Sequence, residues 1–355
     1  MSMTNITNAA LLRPEEVGPL VVQPVTAESV AMQVATVVTT GSASYRIPMI
    51  TADSTAGWFA EGAEITPSDA TTNEIDVVPS KVAGLSIISR ELANDSSPLA
   101  AQVVGQSLAR DIARRIDAAF FANTTSNGPS GLLSISPSIV DTRAATALPS
   151  VTATAATDKI NSTAHGLSNG DVVVFSALTG GAGLVVDTPY YVVNKSANDF
   201  EVSATAGGAK IDVTTDASAA SAYKRVLSNL DPFAQAISLA ENVGATITSF
   251  CLNPADLLTL AVLKDQTGSN RPLLGTDPTA PTKRTALGIP LIPTPAVKVG
   301  TIWGVPKDRV MIVVREGATL DVDRSAYFSS DRVGVRAIMR VGFGFPHAAA
   351  VTRLY

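Results

Sequence analysis

Between Tyr45 and Ser89 the chain offers two loosely alternating runs, Tyr45–Ile50 and Glu74–Ser89, around a small and polar tip. In the second run Ala83, Leu85 and Ile87 share one face of a strand. The tip holds Trp58-Phe59-Ala60-Glu61-Gly62 and then Pro67, Ser68, Asp69, Thr71 and Thr72. This pattern predicts a long hairpin with an irregular end. An isolated two-stranded hairpin is marginal in water, and this one is too thinly apolar to build a core. It must lie on another surface, which points to contact between copies of the chain.

Composition supports that reading. The 355 residues are 46% hydrophobic, enough for a sizeable core, but only 16% charged. Soluble domains usually carry about a quarter, and a chain with so little charged surface often covers part of it with protein. The formal net charge is −5 and no Lys/Arg block stands out, which argues against sequence-specific nucleic-acid binding. Cys251 is the only cysteine, so no intrachain disulfide framework exists and a reducing compartment fits. Met1-Ser2-Met3-Thr4-Asn5 has no basic stretch followed by an apolar one, and no run of about 18 apolar residues predicts a membrane span. Cytosolic synthesis is the expectation.

Residues 1–44 hold Pro14, Gly18 and Pro24 among scattered Val and Thr without a helical period, and read as an extended arm. Ser97-Pro98 is a helix start, with Ser as cap and Pro at the first position. Leu99, Val103, Leu108, Ile112, Ile116 and Phe120 then form one stripe, opposite Gln102, Gln106, Arg110, Arg114 and Asp117. A helix over 97–123 would be roughly 40 Å long. From Pro149 to Lys224 the composition turns to Ala, Thr, Val, Gly and Asp. Short strands at Val172–Phe175, Tyr190–Val193, Phe200–Ser203 and Ile211–Val213, separated by turn signals, predict a small inserted antiparallel sandwich or barrel. After it, Asp231-Pro232 opens a helix carrying Phe233, Ala236, Ile237, Ala240 and Val243. A strand at Ile247–Leu252 leads through Asn253-Pro254 into a helix over Ala255–Lys264. Val333, Val335, Ala337, Met339, Val341, Phe343 and Phe345 hold every second position, as one buried face of a long strand requires.

In order, these pieces resemble the HK97-type major capsid proteins of tailed bacteriophages. The resemblance is carried by Trp58…Glu61-Gly62, Ile88-Ser89-Arg90-Glu91-Leu92, the long helix and Pro129-Ser130-Gly131-Leu132-Leu133. It resumes at Asn253-Pro254, Leu287-Gly288-Ile289-Pro290 and the last long strand. It implies an α+β, HK97-like capsid fold with an inserted all-β domain. The implied organisation is an N-terminal arm (1–44), an extended E-loop (45–89) and a P domain (90–148) with its spine helix (97–123). The inserted β-domain (149–226), an A domain (227–314), and the P-domain strands with the C-terminal return (315–355) follow. Such subunits form hexamers and pentamers of an icosahedral shell around packaged double-stranded DNA, a non-enzymatic role without cofactor or membrane. The implied partners are further copies, a portal protein, DNA held nonspecifically and a decoration protein. The implied place is the virion capsid, assembled in the bacterial host cytoplasm. The arm begins near Met1, without the long helical scaffold segment of many relatives, so a separate scaffolding protein is expected. Some relatives also join subunits by a Lys–Asn isopeptide bond. Residues 1–80 hold no Lys, and Asp331 stands where those relatives carry Asn, so no crosslink is expected.

The inter-subunit contact candidates are Trp58, Glu61 and Glu64 at the tip and Arg332, Arg336 and Arg340 on the polar face of the last strand. Trp58 is the strongest, since aromatic side chains are enriched in interface cores; a local tuck is the bland alternative. The glutamates and arginines read equally as charge pairs or as solvated faces, because exposed ion pairs contribute only about 0–1 kcal/mol. Arg110, Arg114 and Arg115 read as helix-surface pairing with Asp111 and Asp117 rather than a phosphate track. His165 and His347 are too isolated for a metal site. Asp321 and Asp323 lack a base or cleft, Gly180-Gly181-Ala182-Gly183 lacks the Lys-Ser/Thr ending of a phosphate loop, and Cys251 reads as buried. Two rivals remain at this point: an encapsulin-like nanocompartment shell, and a hydrolase or adhesin built around the β-module.

Overall fold

The computed structural model describes residues 28–52, 54–62, 64–89, 99–140, 147–186, 188–224, 227, 229–266, 268–274, 284–323, 327 and 330–355. In chain order the elements begin with α1 (Val30–Val34), β1 (Thr36–Thr40), β2 (Tyr45–Ala52), β3 (Thr71–Val77), β4 (Ser80–Ser89) and α2 (Leu99–Phe120). β5 (Ser138–Val140), β6 (Val151–Thr154), β7 (Lys159–Asn161), β8 (Val172–Gly180), β9 (Pro189–Val193), β10 (Asp199–Ser203) and β11 (Ala217–Lys224) follow. Next come α3 (Asp231–Asn242), β12 (Ser249–Leu252), α4 (Pro254–Val262), β13 (Thr285–Ala286), β14 (Ile289–Pro293) and β15 (Ile302–Val305). β16 (Met311–Asp323), β17 (Arg332–Gly344) and β18 (Thr352–Leu354) close the chain. Two compact units result: residues up to Ser136 with Val305–Ala349, and Pro137–Gly304 with Ala350–Tyr355.

In the first unit four strands pair in the order β1-β16-β17-β4. β17 runs antiparallel to both β16 and β4, and β1 lies parallel to β16. The alternation expected of the last strand is present: Val333, Val335, Ala337, Met339, Val341 and Phe343 are buried, while Arg332, Arg336 and Arg340 are exposed. The buried row faces α2, whose Ala109, Ile112, Ala113, Ile116 and Phe120 are buried in turn. Phe120 meets Phe343 edge-on at 5.3 Å. Each large side chain so buried contributes about 1.5–3 kcal/mol, and this interdigitation fixes the helix on the sheet.

The helix expected over 97–123 is found over Leu99–Phe120; Ser97 and Pro98 lie outside the described residues. Its end explains the Gly-Leu-Leu motif. Gly131 N donates to Asn123 O (3.0 Å) and Leu133 N to Ala122 O (3.1 Å), so the returning chain satisfies carbonyls that a helix end leaves open. A Cβ on Gly131 would stand 2.5 Å from Phe120 O and 2.6 Å from Ala122 O. No other residue fits there.

The extended reading of residues 1–44 fails over its last part. Residues 30–34 form α1 and 36–40 form β1, because Ala31, Met32 and Val34 gain burial. Ser29 caps α1, its Oγ accepting from Met32 N, and donates to Asp117 of α2 at 2.6 Å. The same carboxylate accepts from Ala31 N (2.9 Å) and Val30 N (3.1 Å). Asp117, read from the sequence as a surface partner for the helix arginines, is therefore a buried joint. Burial pushes its carboxyl above the ordinary value, and the three hydrogen bonds pull it down without cancelling that effect.

In the second unit β6 to β11 close into a barrel, in the order β10-β7-β6-β11-β8-β9. Its core holds Ile160, Val173, Phe175, Val192, Phe200 and Val202. The strands expected near 172, 190 and 200 are present. Ile211–Val213 is not a strand: Ile211 N donates to Val202 O, and Val213 is buried from a loop. A second sheet, β13-β14-β12-β15-β18-β5, packs with α3 and α4 around Phe233, Phe250, Leu252, Leu257, Leu260 and Ile302. Val243, expected on the buried stripe of α3, lies just past its end and is exposed. Asn253 caps α4, its side chain accepting from Ala255 N at 3.0 Å, with Pro254 at the first helical position. Leu287 and Gly288 both take positive φ between β13 and β14, the two-residue turn that matches strand twist.

Gly131→Ala should destabilise the protein by roughly 1–3 kcal/mol through forced displacement of the loop from the helix end, read as a lower urea midpoint with unchanged slope. Asp117 gives a pH prediction. Its folded carboxyl binds a proton more readily than the ordinary value of 3.8 would allow. Its stabilisation is thus fully present below that value and is lost as pH rises through the folded one. Relative to Asp117→Asn, the parent's advantage in urea unfolding should shrink with rising pH; an advantage that grows would overturn this.

Candidate assembly interface

β2 and β3 pair antiparallel in a sheet of their own, Tyr45 opposite Val77 and Ile47 opposite Ile75. Arg46 reaches Asp76 at 3.1 Å and Glu74 at 3.4 Å, with all three side chains at least half exposed. Such pairs help register more than stability. Among the described hairpin residues burial is confined to the root, where Ile47 and Val77 pack with Val313 of β16. Two glycines of β17 make room for them. A Cβ on Gly342 would lie 2.6 Å from Val77 Cγ1, and one on Gly344 would strike Ile47 Cδ1.

Beyond the root the hairpin leaves its own subunit. Ser68 Oγ accepts from Thr55 N (2.8 Å) and donates to Thr55 O (3.0 Å), drawing the two sides together. The chain then turns at Glu61-Gly62, where Gly62 has φ 81°, a left-handed conformation that glycine adopts without strain. Trp58 is fully exposed and Ile65 is 70% exposed. The local tuck weighed for Trp58 does not occur. Glu61 and Glu64 are exposed and make no ion pair with a described residue.

The face of the four-stranded sheet turned away from α2 carries Arg332, Arg336 and Arg340, all exposed. Asp321 of β16 stands opposite Arg336 in the register. Arg340 stands opposite Arg315 on one side and Lys81 on the other. Lys81 and Arg315 escaped the sequence reading, since only strand register brings them to Arg340. Leu85 (59% exposed) and Ile87 lie on the same face. Asp331, in the turn before β17, has φ 49° and is exposed.

The remaining candidates assemble no chemistry. Arg115 reaches Asp111 at 3.9 Å along α2, the surface pairing expected, whereas Asp117 faces inward. His165 is buried, its Nδ1 accepting from Leu167 N and its ring edge-on to Phe200. Gly180, Gly181 and Gly183 take positive φ in a turn pressed against the carbonyls of Asp212 and Asp216. Cys251 is fully buried in β12. Among the described residues no group of three or more His, Cys, Asp or Glu could hold a metal ion, and no helix is long and apolar enough to cross a membrane.

The sequence matches the phage capsid family over residues 9–179 and 193–354. Comparison with curated proteins by sequence gives no match. Among solved structures, the capsid of an empty GTA particle superposes with a TM-score of 0.55 at 17% identity, covering 100% of this chain and 94% of that one. A chain from Mycobacterium phage Bobi gives 0.55 at 14% identity, covering 100% and 94%. One from Mycobacterium phage Adephagia gives 0.54 at 14% identity, covering 100% and 98%. At such identities the structural likeness speaks for the α+β, HK97-like fold, and nothing in it favours the nanocompartment or hydrolase readings. With the family matched over nearly its whole length, the chain belongs to the phage capsid family, as a major capsid protein of a phage shell.

Proposed function

We propose that subunits of this shell hold one another noncovalently, the hairpin tip of each reaching onto the sheet of a neighbour. The observation that carries this is Trp58, wholly exposed at the end of a hairpin whose root alone is buried. Phe59 and Ile65 are exposed at the same tip, and several apolar side chains left in water together mark a contact surface, which a second copy would cover. In this reading residues 45–89 are the E-loop, 97–123 the spine helix and 1–44 the arm. Residues 149–226 are an inserted domain, and 227–314 are the A domain. The tip residues Trp58, Glu61 and Glu64 meet the face carrying Arg332, Arg336 and Arg340. Neither Lys nor Asn stands at the positions a Lys–Asn crosslink would use, so contact area and charge do the holding.

The work of such a protein is mechanical, without catalysis or cofactor. Hexamers and pentamers close into the shell, assisted by a separate scaffolding protein and interrupted by a portal. DNA is held nonspecifically: with a net charge of −5 the chain offers no general attraction to phosphate. Assembly takes place in the bacterial host cytoplasm, and a decoration protein is a further candidate partner.

Trp58→Ala should leave the isolated subunit's Tm unchanged, because the ring buries nothing there. It should lower shell yield on coexpression with the scaffold, since truncating an interface anchor typically costs more than about 1 kcal/mol per contact. Electron microscopy and sedimentation read the result. Parental shell yield from Trp58→Ala would remove Trp58 from the interface, and persistent monomers of the parent chain, even with scaffold present, would sink the hairpin reading itself.

A further inference from the structure

We infer that Lys81, Arg340 and Arg315 form a cationic row that receives the acidic hairpin tip of a second copy, at the expense of the isolated subunit's stability. The inference rests on the hairpin reading above and adds the socket, with a physical consequence for the free subunit.

The row follows from register. Arg340 of β17 stands directly opposite Arg315 of β16 and directly opposite Lys81 of β4, so three cations cross three adjacent strands on one face. Directly opposite residues have Cβ atoms about 4.5–5.5 Å apart, and like charges so placed are destabilising. Lys81 and Arg340 are exposed and Arg315 half-buried. None of the three makes an ion pair with a described residue. The rows on either side differ. Two residues one way, Ile338 stands opposite Thr319 and Ala83, a row without charge, and two further on Arg336 stands opposite Asp321. Two residues the other way, Val313 and Gly342 are covered by the hairpin root. The row, without an ion pair to a described residue, is thus a local feature, set beside the root of its own hairpin.

The hairpin is the complementary part. Residues 47–80 hold Asp53, Glu61, Glu64, Asp69, Glu74 and Asp76 and no Lys or Arg. Arg46 neutralises Glu74 and Asp76, while Glu61, Glu64 and Asp69 nearer the tip make no ion pair with a described residue. Leu85, 59% exposed on the same face as the row, offers Trp58 an apolar neighbour. A tip from a second copy would place carboxylates over a row that repels itself, and so remove in the assembly a repulsion that the free subunit carries.

Lys81→Gln and Arg340→Gln, both at exposed positions, test this in the full chain coexpressed with its scaffold. Each should raise the Tm of the unassembled subunit at low ionic strength, with the gain vanishing at high salt where charges are screened. Each should also lower shell yield and flatten its salt dependence. Arg340→Glu should assemble worse still and be rescued by Glu61→Lys or Glu64→Lys on the tip. A Tm that stays level or falls, shell yield equal to the parent's, or loss of packaged DNA from otherwise normal shells would overturn the row's role. A hairpin shortened between residues 57 and 66 separates the two ideas. If it assembles like the parent, the underlying hairpin reading fails. If it fails to assemble while the Gln variants assemble normally, only the row is lost.

Discussion

The two-sided alternation of β17 is the constraint on which the first unit depends. One face of that strand is an unbroken apolar row locked beneath α2. The other carries arginines along most of its length and glycines at its end, where the hairpin root sits. Because strand side chains alternate with period two, a slip of one residue would exchange these faces entirely. Arginines would then meet Ile112 and Ile116, and Val341 and Phe343 would stand where Ile47 and Val77 need room. Core packing and presentation of the outer face are thus one choice of register.

The hairpin inherits its direction from that choice. Two absent side chains, at Gly342 and Gly344, let Ile47 and Val77 drop onto the strand, and among the described residues the hairpin's apolar anchorage is here, with Tyr45, Ile75 and Met311 packed beside it. A well-seated root with an unburied tip is a lever: what the root fixes in angle, the tip carries outward as position. The joint of Asp117 with Ser29, Val30 and Ala31 does a similar task further back in the chain, tying residues 29–31 to the helix.

Much of this was legible in the sequence wherever a local rule sufficed. The apolar alternation after Arg332, the stripe on α2 and the entry to α4 through Asn253-Pro254 each need only neighbours within a few residues. What escaped depended on distance along the chain. Ser29 and Asp117 are 88 residues apart, and nothing local marks Asp117 as buried among helix arginines. Lys81, Arg315 and Arg340 come from separate strands and become a cluster only through register. In the barrel, β6, β7 and β11 are short or rich in Ala, Ser and Thr, without the β-branched and aromatic density that marked β9 and β10. Ile211–Val213 had that density yet turned inward as loop, since closure of the barrel was already complete without it.

The candidate site was half legible for the same reason. Trp58, Glu61 and Glu64 could be chosen because aromatic and acidic side chains at a polar tip stand out against their neighbours in the sequence. The socket could not be chosen, because repulsion between like charges is visible only when strands are aligned. That asymmetry bears on how such a shell can form. Exposed ion pairs contribute about 0–1 kcal/mol each, so a single tip contact made through them is weak and reversible, and a misplaced subunit can leave. If each tip is received as proposed, every subunit of a closed shell both gives a tip and receives one, and the contributions add around the lattice. On that proposal, a surface slightly unfavourable alone and satisfied in company would bias the chain toward the complete assembly without needing a covalent lock.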